Sequence, residues 1–269
     1  MARLTAGDIA ILETFVVPRY LHHYGDLALE LLSESAPASV VHLGCRTGYL
    51  DRQLVQRLDD CALTGLDGSL PAIELARNKA GTGVGTNSEY LIAKDYPTQL
   101  EGGCFSHVVS LHPMAGESDR LALFGEAHRL LCPGGQALIA LPLRGSFQEL
   151  ADLCREFALK SEDKNLSGAI DHAMQARPNL EMVSDELESA GFDDVDVEIR
   201  RVSLNFDTGR EFVDDPMTRL MILPDFRSML QMEDIDDAVA YVREAIDKYW
   251  ASSDFELSVN VGCASARKF

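Results

Sequence analysis

The stretch Val40-Val41-His42-Leu43-Gly44-Cys45-Arg46-Thr47-Gly48-Tyr49 decides the fold. A β-rich run, Ser39 to Leu43, reaches a glycine turn and passes into helical spacing from Tyr49 to Leu58, with Leu50, Leu54, Val55 and Leu58 on one face. Glycine admits positive φ and lets a ligand come close to the backbone. Further along, Leu66-Asp67 closes a second strand, Cys61 to Leu66. A carboxylate at that strand tip can accept both hydroxyls of a ribose, and each such bond is worth roughly 1.5–3 kcal/mol when shielded from water.

Outward from this unit, strand and helix signals alternate. A helix over 71–80 has Ser69 as its cap and Pro71 in its first turn. Strands follow at 89–94, 105–111 and 136–141. A helix over 119–131 is stopped by Cys132-Pro133-Gly134-Gly135. Strands spaced by helices imply parallel βαβ units and a sheet covered on both faces. Ligands on such sheets bind beyond the carboxyl ends of the strands, where strand order reverses. The loops starting at Gly44, Asp67, Asp95 and Ser110 should therefore share one crevice.

At the N-terminus, residues 8–34 read as two short helices divided at Pro18. Beyond the fifth strand come helices at 147–159 and 180–190, a strand-like run at 195–204 and a last strand at 255–263. Residues 205–253 form a helical insertion before that last strand. They end in an amphipathic helix with Ile235, Val239, Val242, Ile246 and Tyr249 on one face. Gly81-Thr82-Gly83-Val84-Gly85-Thr86-Asn87 has a phosphate-loop composition, but it follows a helix and precedes a strand, the reverse of a phosphate-cradling loop, and reads as a connection.

The chain has 269 residues, with 24 Lys+Arg against 43 Asp+Glu and a formal charge of −19. A polyanion partner needs a basic face, so neither nucleic acid nor anionic membrane is expected. No apolar run is long enough to span a bilayer and no secretory signal is visible. Six cysteines without a C-x-x-C pair or a histidine cluster point to reduced thiols in a cytoplasmic protein, with no metal site.

The ordered series resembles the class I S-adenosylmethionine-dependent methyltransferases, particularly those acting on small molecules. His42 to Gly48 matches that family's E/D-x-G-x-G-x-G turn. Leu66-Asp67-Gly68-Ser69 matches its ribose-binding acid, and Ala93-Lys94-Asp95 the acid that meets the adenine amino group. Phe105 to Leu111 matches the strand beneath the sulfonium. Leu130-Leu131-Cys132-Pro133-Gly134-Gly135 matches the L-x-P-G-G turn. The resemblance implies an α/β, doubly wound, Rossmann-like sheet of about seven strands whose last strand is antiparallel. It divides the chain into an N-terminal helical lid (1–34), a cofactor-binding core (35–145) and an inserted cap or interface (205–253). It also implies S-adenosylmethionine as cofactor, with His42, Gly44, Arg46, Gly48, Asp67, Gly68, Asp95 and Ser110 as its binding residues.

Two positions depart from the pattern: His42 stands where the family has an acid, and Arg46 where it has the middle glycine. A neutral His42 can accept one hydrogen bond; Arg46 can pair with the methionine carboxylate, a substrate anion or surface acids. His112, after the fourth strand, is a candidate general base or a loop histidine bonded to backbone. Arg144 can reach a substrate carboxylate, or mark a helix entry capped by Ser146. The leading reading is methyl transfer to a small-molecule acceptor by in-line displacement. The alternative is a catalytically inactive binding or assembly module, with a homodimer or protein partner on 205–253. An NAD-dependent oxidoreductase fits less well, because the turn lacks G-x-G-x-x-G spacing.

Overall fold

The structure is a computed structural model and describes residues 4–83, 87–93, 95–113 and 116–269. It begins with helix α1 (Ala6–Ile11), opened by a capping box in which the Thr5 hydroxyl accepts from the Asp8 N–H and the Asp8 carboxylate accepts in return. The chain continues without a break through a π-helical segment, Leu12–Leu21, into α2 (His22–Leu31). Pro18 was expected to divide this region; instead it lies inside the π segment, whose wider register absorbs a residue that cannot donate.

The alternating core follows in chain order: β1 (Ser39–Leu43), α3 (Asp51–Arg57), β2 (Ala62–Asp67), α4 (Leu70–Gly83), β3 (Ser88–Ile92), β4 (Phe105–Leu111), α5 (Glu117–Leu130) and β5 (Leu131–Pro142). Then come α6 (Gln148–Lys160), α7 (Lys164–Ala176), α8 (Leu180–Ser189), β6 (Asp193–Phe206), α9 (Gly209–Asp214), a second π-helical turn (Thr218–Ile222), α10 (Leu223–Leu230), α11 (Asp236–Tyr249) and β7 (Phe255–Arg267).

Among the described residues the seven strands form one sheet in the order β3-β2-β1-β4-β5-β7-β6. The first five are parallel, and β7 runs antiparallel to both β5 and β6. This is the doubly wound, seven-stranded sheet with an antiparallel last strand implied by the sequence. Strand order reverses between β1 and β4, so the switch point lies between the loops that leave Leu43 and Leu111. Alternate residues face opposite sides: Val40 and Val109 enter one apolar cluster, Val41 and Val108 the other. Both faces are therefore dry, as a parallel sheet requires.

Three local readings change. The Cys132-Pro133-Gly134-Gly135 run is not a separate turn. It is a bulge within β5, where the register jumps from Phe105↔Leu131 to His107↔Gln136. The Ser69 hydroxyl does not cap α4 and has no partner; its N–H donates to Asp67 Oδ1 instead, at 2.8 Å. The insertion, read as a cap or interface, also contributes to the interior: Met217, Ile222 and Phe226 pack into the larger cluster with Phe212 and α11. No helix is long and apolar enough to cross a membrane among the described residues. Within 81–87, residues 84–86 lie outside the described part, as does Lys94.

Candidate functional site

The loops at the switch point enclose a cavity of about 130 Å³, lined by Leu43, Gly44, Leu66, Asp67, Gly68, Ala93, Tyr96 and Thr98. Gly44 has φ +68°, and a Cβ built there would meet nothing within 4 Å, so backbone is open to a ligand at that point. Asp67 holds the loops in shape: Oδ2 accepts from the Arg46 N–H at 2.9 Å and Oδ1 from the Ser69 N–H. Each carboxylate oxygen keeps a further lone pair for a hydroxyl. A pocket enclosing a whole drug-sized ligand runs to about 300–1,000 Å³, so this cavity takes one end of a larger molecule.

Gly44, Asp67 and Gly68 thus meet at one cavity, as expected. Asp95 is exposed and is not among its lining residues, although Ala93 and Tyr96 on either side are. Ser110 is buried within β4, outside the lining. Gly48 has φ +64°, and an added Cβ would come within 2.6 Å of Asp51 Oδ2 and 3.2 Å of the Tyr90 hydroxyl. That crowding exposes a group the sequence reading missed. His42, fully buried, places Nδ1 2.6 Å from Asp51 Oδ1, and Asp51 Oδ2 accepts from the Tyr90 hydroxyl at 2.8 Å. The acid absent from position 42 is supplied by Asp51 at the start of α3. His42 Nε2 is left buried with no partner.

Arg46 pairs with none of the anions considered for it. Its guanidinium crosses the switch point and donates to two backbone carbonyls, Leu111 O at 2.6 Å and His112 O at 2.7 Å. Both Arg46 (φ 50°) and His112 (φ 52°) are in the left-handed region. A non-glycine residue there costs roughly 1–2 kcal/mol, and such strain gathers at functional sites. His112 is also tied down elsewhere: its N–H donates to Ala140 O and its Nε2 lies 2.8 Å from the Tyr20 hydroxyl, which contacts Tyr24 at 2.9 Å. Burial, reinforced by the nearby Arg46 charge, pushes His112 down to about 4.

That depression has a testable sign. An unfolded histidine takes up its proton near pH 6.5, whereas native His112 does so near 4. Between those values the unfolded chain binds the extra proton, so stability is intact above pH 6.5 and falls toward pH 4, by about 3 kcal/mol from this residue. In urea titrations at pH 7 and pH 4.5, His112→Gln should lose clearly less stability across the interval than the parent. An equal loss would show that His112 is not held neutral.

Residues 40–135 match the family model described as a methyltransferase domain. Over those residues, about a third of its length, the chain is similar to a methyltransferase domain. A demethylmenaquinone methyltransferase of Thermus thermophilus is 28% identical over 123 residues, 45% of this chain and 56% of that protein. The chain thus matches about half the length of that relative. The YcgJ protein of Bacillus subtilis superimposes with a TM-score of 0.61 at 13% identity, covering 92% of this chain and 98% of its own. Haemonchus contortus phosphoethanolamine N-methyltransferase 2, solved in complex with S-adenosyl-L-methionine, gives 0.60 at 17% identity over 98% of this chain and 57% of its own. At these identities the likeness is one of fold.

The residues present fit S-adenosylmethionine: a bare glycine backbone and a strand-tip carboxylate with lone pairs to spare at the cavity, and an orphaned buried nitrogen at His42, which is not among the lining residues. Gly44→Ala separates the structural from the binding role of that backbone. Since the added carbon has room, the stability loss should be limited to the roughly 1–2 kcal/mol of left-handed strain. Affinity for S-adenosylhomocysteine should fall by more than that, because the carbon stands at the cavity wall. Calorimetric titration beside a thermal melt reads both; equal losses would place Gly44 outside the ligand's reach. Arg144 is settled differently from expectation. It donates to the Gln175 and Arg177 carbonyls at the end of α7, and Ser146 bonds the Asn260 backbone rather than capping α6. Among the described residues no group of three or more His, Cys, Asp or Glu could hold a metal.

Proposed function

We propose that this protein transfers a methyl group from S-adenosylmethionine to a small-molecule acceptor. The observation that carries the reading is the cavity at the switch point, with Asp67 at the tip of β2 beside the bare Gly44 backbone. Asp67 would accept from the ribose hydroxyls, Gly68 and Ala93 would border the nucleoside, and His42 Nε2 would accept from a cationic N–H. Bound there, the cofactor supplies a methyl group already activated on a sulfonium, so the protein's work is in-line positioning and exclusion of water. Tyr20, Tyr24 and His112, bonded to one another, would close the other side of the crevice. The helix that carries the tyrosines is pinned from two sides, by Lys79–Glu13 to α4 and by Arg19–Asp215 to the insertion, each at 2.5 Å. Residues 1–34 would then act as a lid and 205–253 as the wall of the acceptor side. Six free cysteines support a reducing compartment such as the cytoplasm.

Titration with S-adenosylmethionine and S-adenosylhomocysteine tests the reading. Micromolar binding of both supports it; binding of neither overturns it in favour of an inactive binding or assembly module. One observation favours that second reading. The Arg46 guanidinium spans the switch point, so a ligand longer than the cavity must displace it or thread past it.

A further inference from the structure

Arg177, the residue after α7, is 2% exposed, and its guanidinium reaches inward to Asp225 of α10, with Nη2 to Oδ2 at 2.6 Å. The pair is incomplete. Among the described residues Nε and Nη1 of Arg177 are buried and have no hydrogen-bond partner, and the guanidinium lies over the Phe147 ring, 5.2 Å from its centre. A buried guanidinium is stable when its planar fork is filled, and a carboxylate fills two parallel N–H groups at once, Nε with one N–H of Nη2 or Nη1 with the other. Leaving Nε and Nη1 empty is costly, and more so for a charged donor than for a neutral one. A group needed only for packing would not be placed so.

The surroundings say what is missing. The charges of Arg177 and Asp225 are close enough to act on Tyr20, Tyr24 and His112, and the His112 carbonyl accepts from Arg46 at the switch point. The charges felt at His112 are two cations, Arg46 and Arg177, against one anion, Asp225. Within the Arg177 fork Asp225 answers Nη2 and leaves Nε and Nη1, so the patch is short of an acceptor. It also lacks a group able to take a proton near neutral pH, since burial holds His112 low and pushes both tyrosines up. A ligand suited to it arrives already ionised.

We propose that Arg177 receives a carboxylate of the acceptor, so that the substrate is a small organic acid anchored between α7, α10 and the Tyr20–Tyr24–His112 group. The inference rests on the methyltransferase reading for the word acceptor, but the anion site itself does not. Its fork is the feature that sequence reasoning assigned to Arg144, moved to a residue that is buried rather than spent on carbonyls.

The test follows the Arg177 Nε–H resonance of labelled protein, assigned by loss in Arg177→Lys, during titration with sodium acetate and sodium benzoate. Acetamide, benzamide and sodium chloride are the controls, with and without S-adenosylhomocysteine. The expected result is a saturable shift with a carboxylate and none with its amide. Asp225→Asn, which frees the fork of its competitor, should tighten the carboxylate by roughly tenfold, the size of one charge-assisted bond. Equal response to carboxylate and amide, no response to either acid, or weaker binding in Asp225→Asn overturns the proposal. The acid-against-amide comparison needs only the unaltered chain, so a variant that fails to fold leaves it standing. Carboxylate binding without S-adenosylhomocysteine binding would sink the enzyme reading alone; the converse would sink only this one.

Discussion

Replacing Asp67 with alanine should weaken S-adenosylhomocysteine binding by a factor of roughly ten to several hundred, the worth of one or two shielded charge-assisted bonds. The side chain does two jobs. Within the chain it accepts from the Arg46 and Ser69 N–H groups, which sets the geometry of both loops bordering the cavity. Toward the cavity it presents its remaining lone pairs. Asp67→Asn retains one acceptor oxygen and should fall between the parent and alanine. Because Asp67 is only half-buried and sits at a strand end, the fold should lose no more than about 1–2 kcal/mol. Calorimetry on both variants, beside chemical denaturation, separates affinity from stability. Unchanged affinity in Asp67→Ala would remove the ribose from this strand tip, and with it the main support for the cofactor's position.

The sheet was legible because it is written in local pattern. Apolar runs bounded by glycine, with helical spacing between them, place β1 to β5 and the last strand within a few residues of where they lie. The helix α7 was not, because its apolar face is short and its start rests on the Asp163 side chain accepting from two N–H groups. Pro18 misled for a physical reason: a π register can house a proline that an α register cannot. The site divides in the same way. Gly44 and Asp67 announce themselves through backbone geometry at strand ends. The partners of His42 and Arg46 do not, because they depend on contacts between distant parts of the chain: Tyr90 reaches Asp51 from 39 positions away, and Arg46 meets carbonyls 65 and 66 positions on. Carbonyl acceptors in particular leave no trace in residue identity, which is why both Arg46 and Arg144 suggested anions and found backbone.

Asp51 is where the departure at His42 can be tested. The carboxylate is fully buried and serves two buried donors from different elements, the His42 ring of β1 and the Tyr90 hydroxyl of β3. Removing it leaves two buried donors unpaired, at roughly 1–3 kcal/mol each and so about 3–5 kcal/mol together. Asp51→Ala should therefore be destabilised by that amount in urea, enough to threaten folding at 37 °C. Tyr90→Phe, which takes away a single neutral donor, should lose only about 1–2 kcal/mol. If the two share the carboxylate, their effects will not add: the double variant should be little worse than Asp51→Ala. The function should follow the geometry. His42 Nδ1 faces the Asp51 carboxylate, and Nε2 is the unpartnered buried atom at the head of the glycine turn. Asp51→Asn preserves shape but offers its two donors, the His42 ring and the Tyr90 hydroxyl, one acceptor oxygen in place of two. It should weaken S-adenosylhomocysteine binding although residue 51 is absent from the cavity wall. A stable Asp51→Ala, or an Asp51→Asn with parental affinity, would show that His42 only fills space and that the turn binds through its backbone alone.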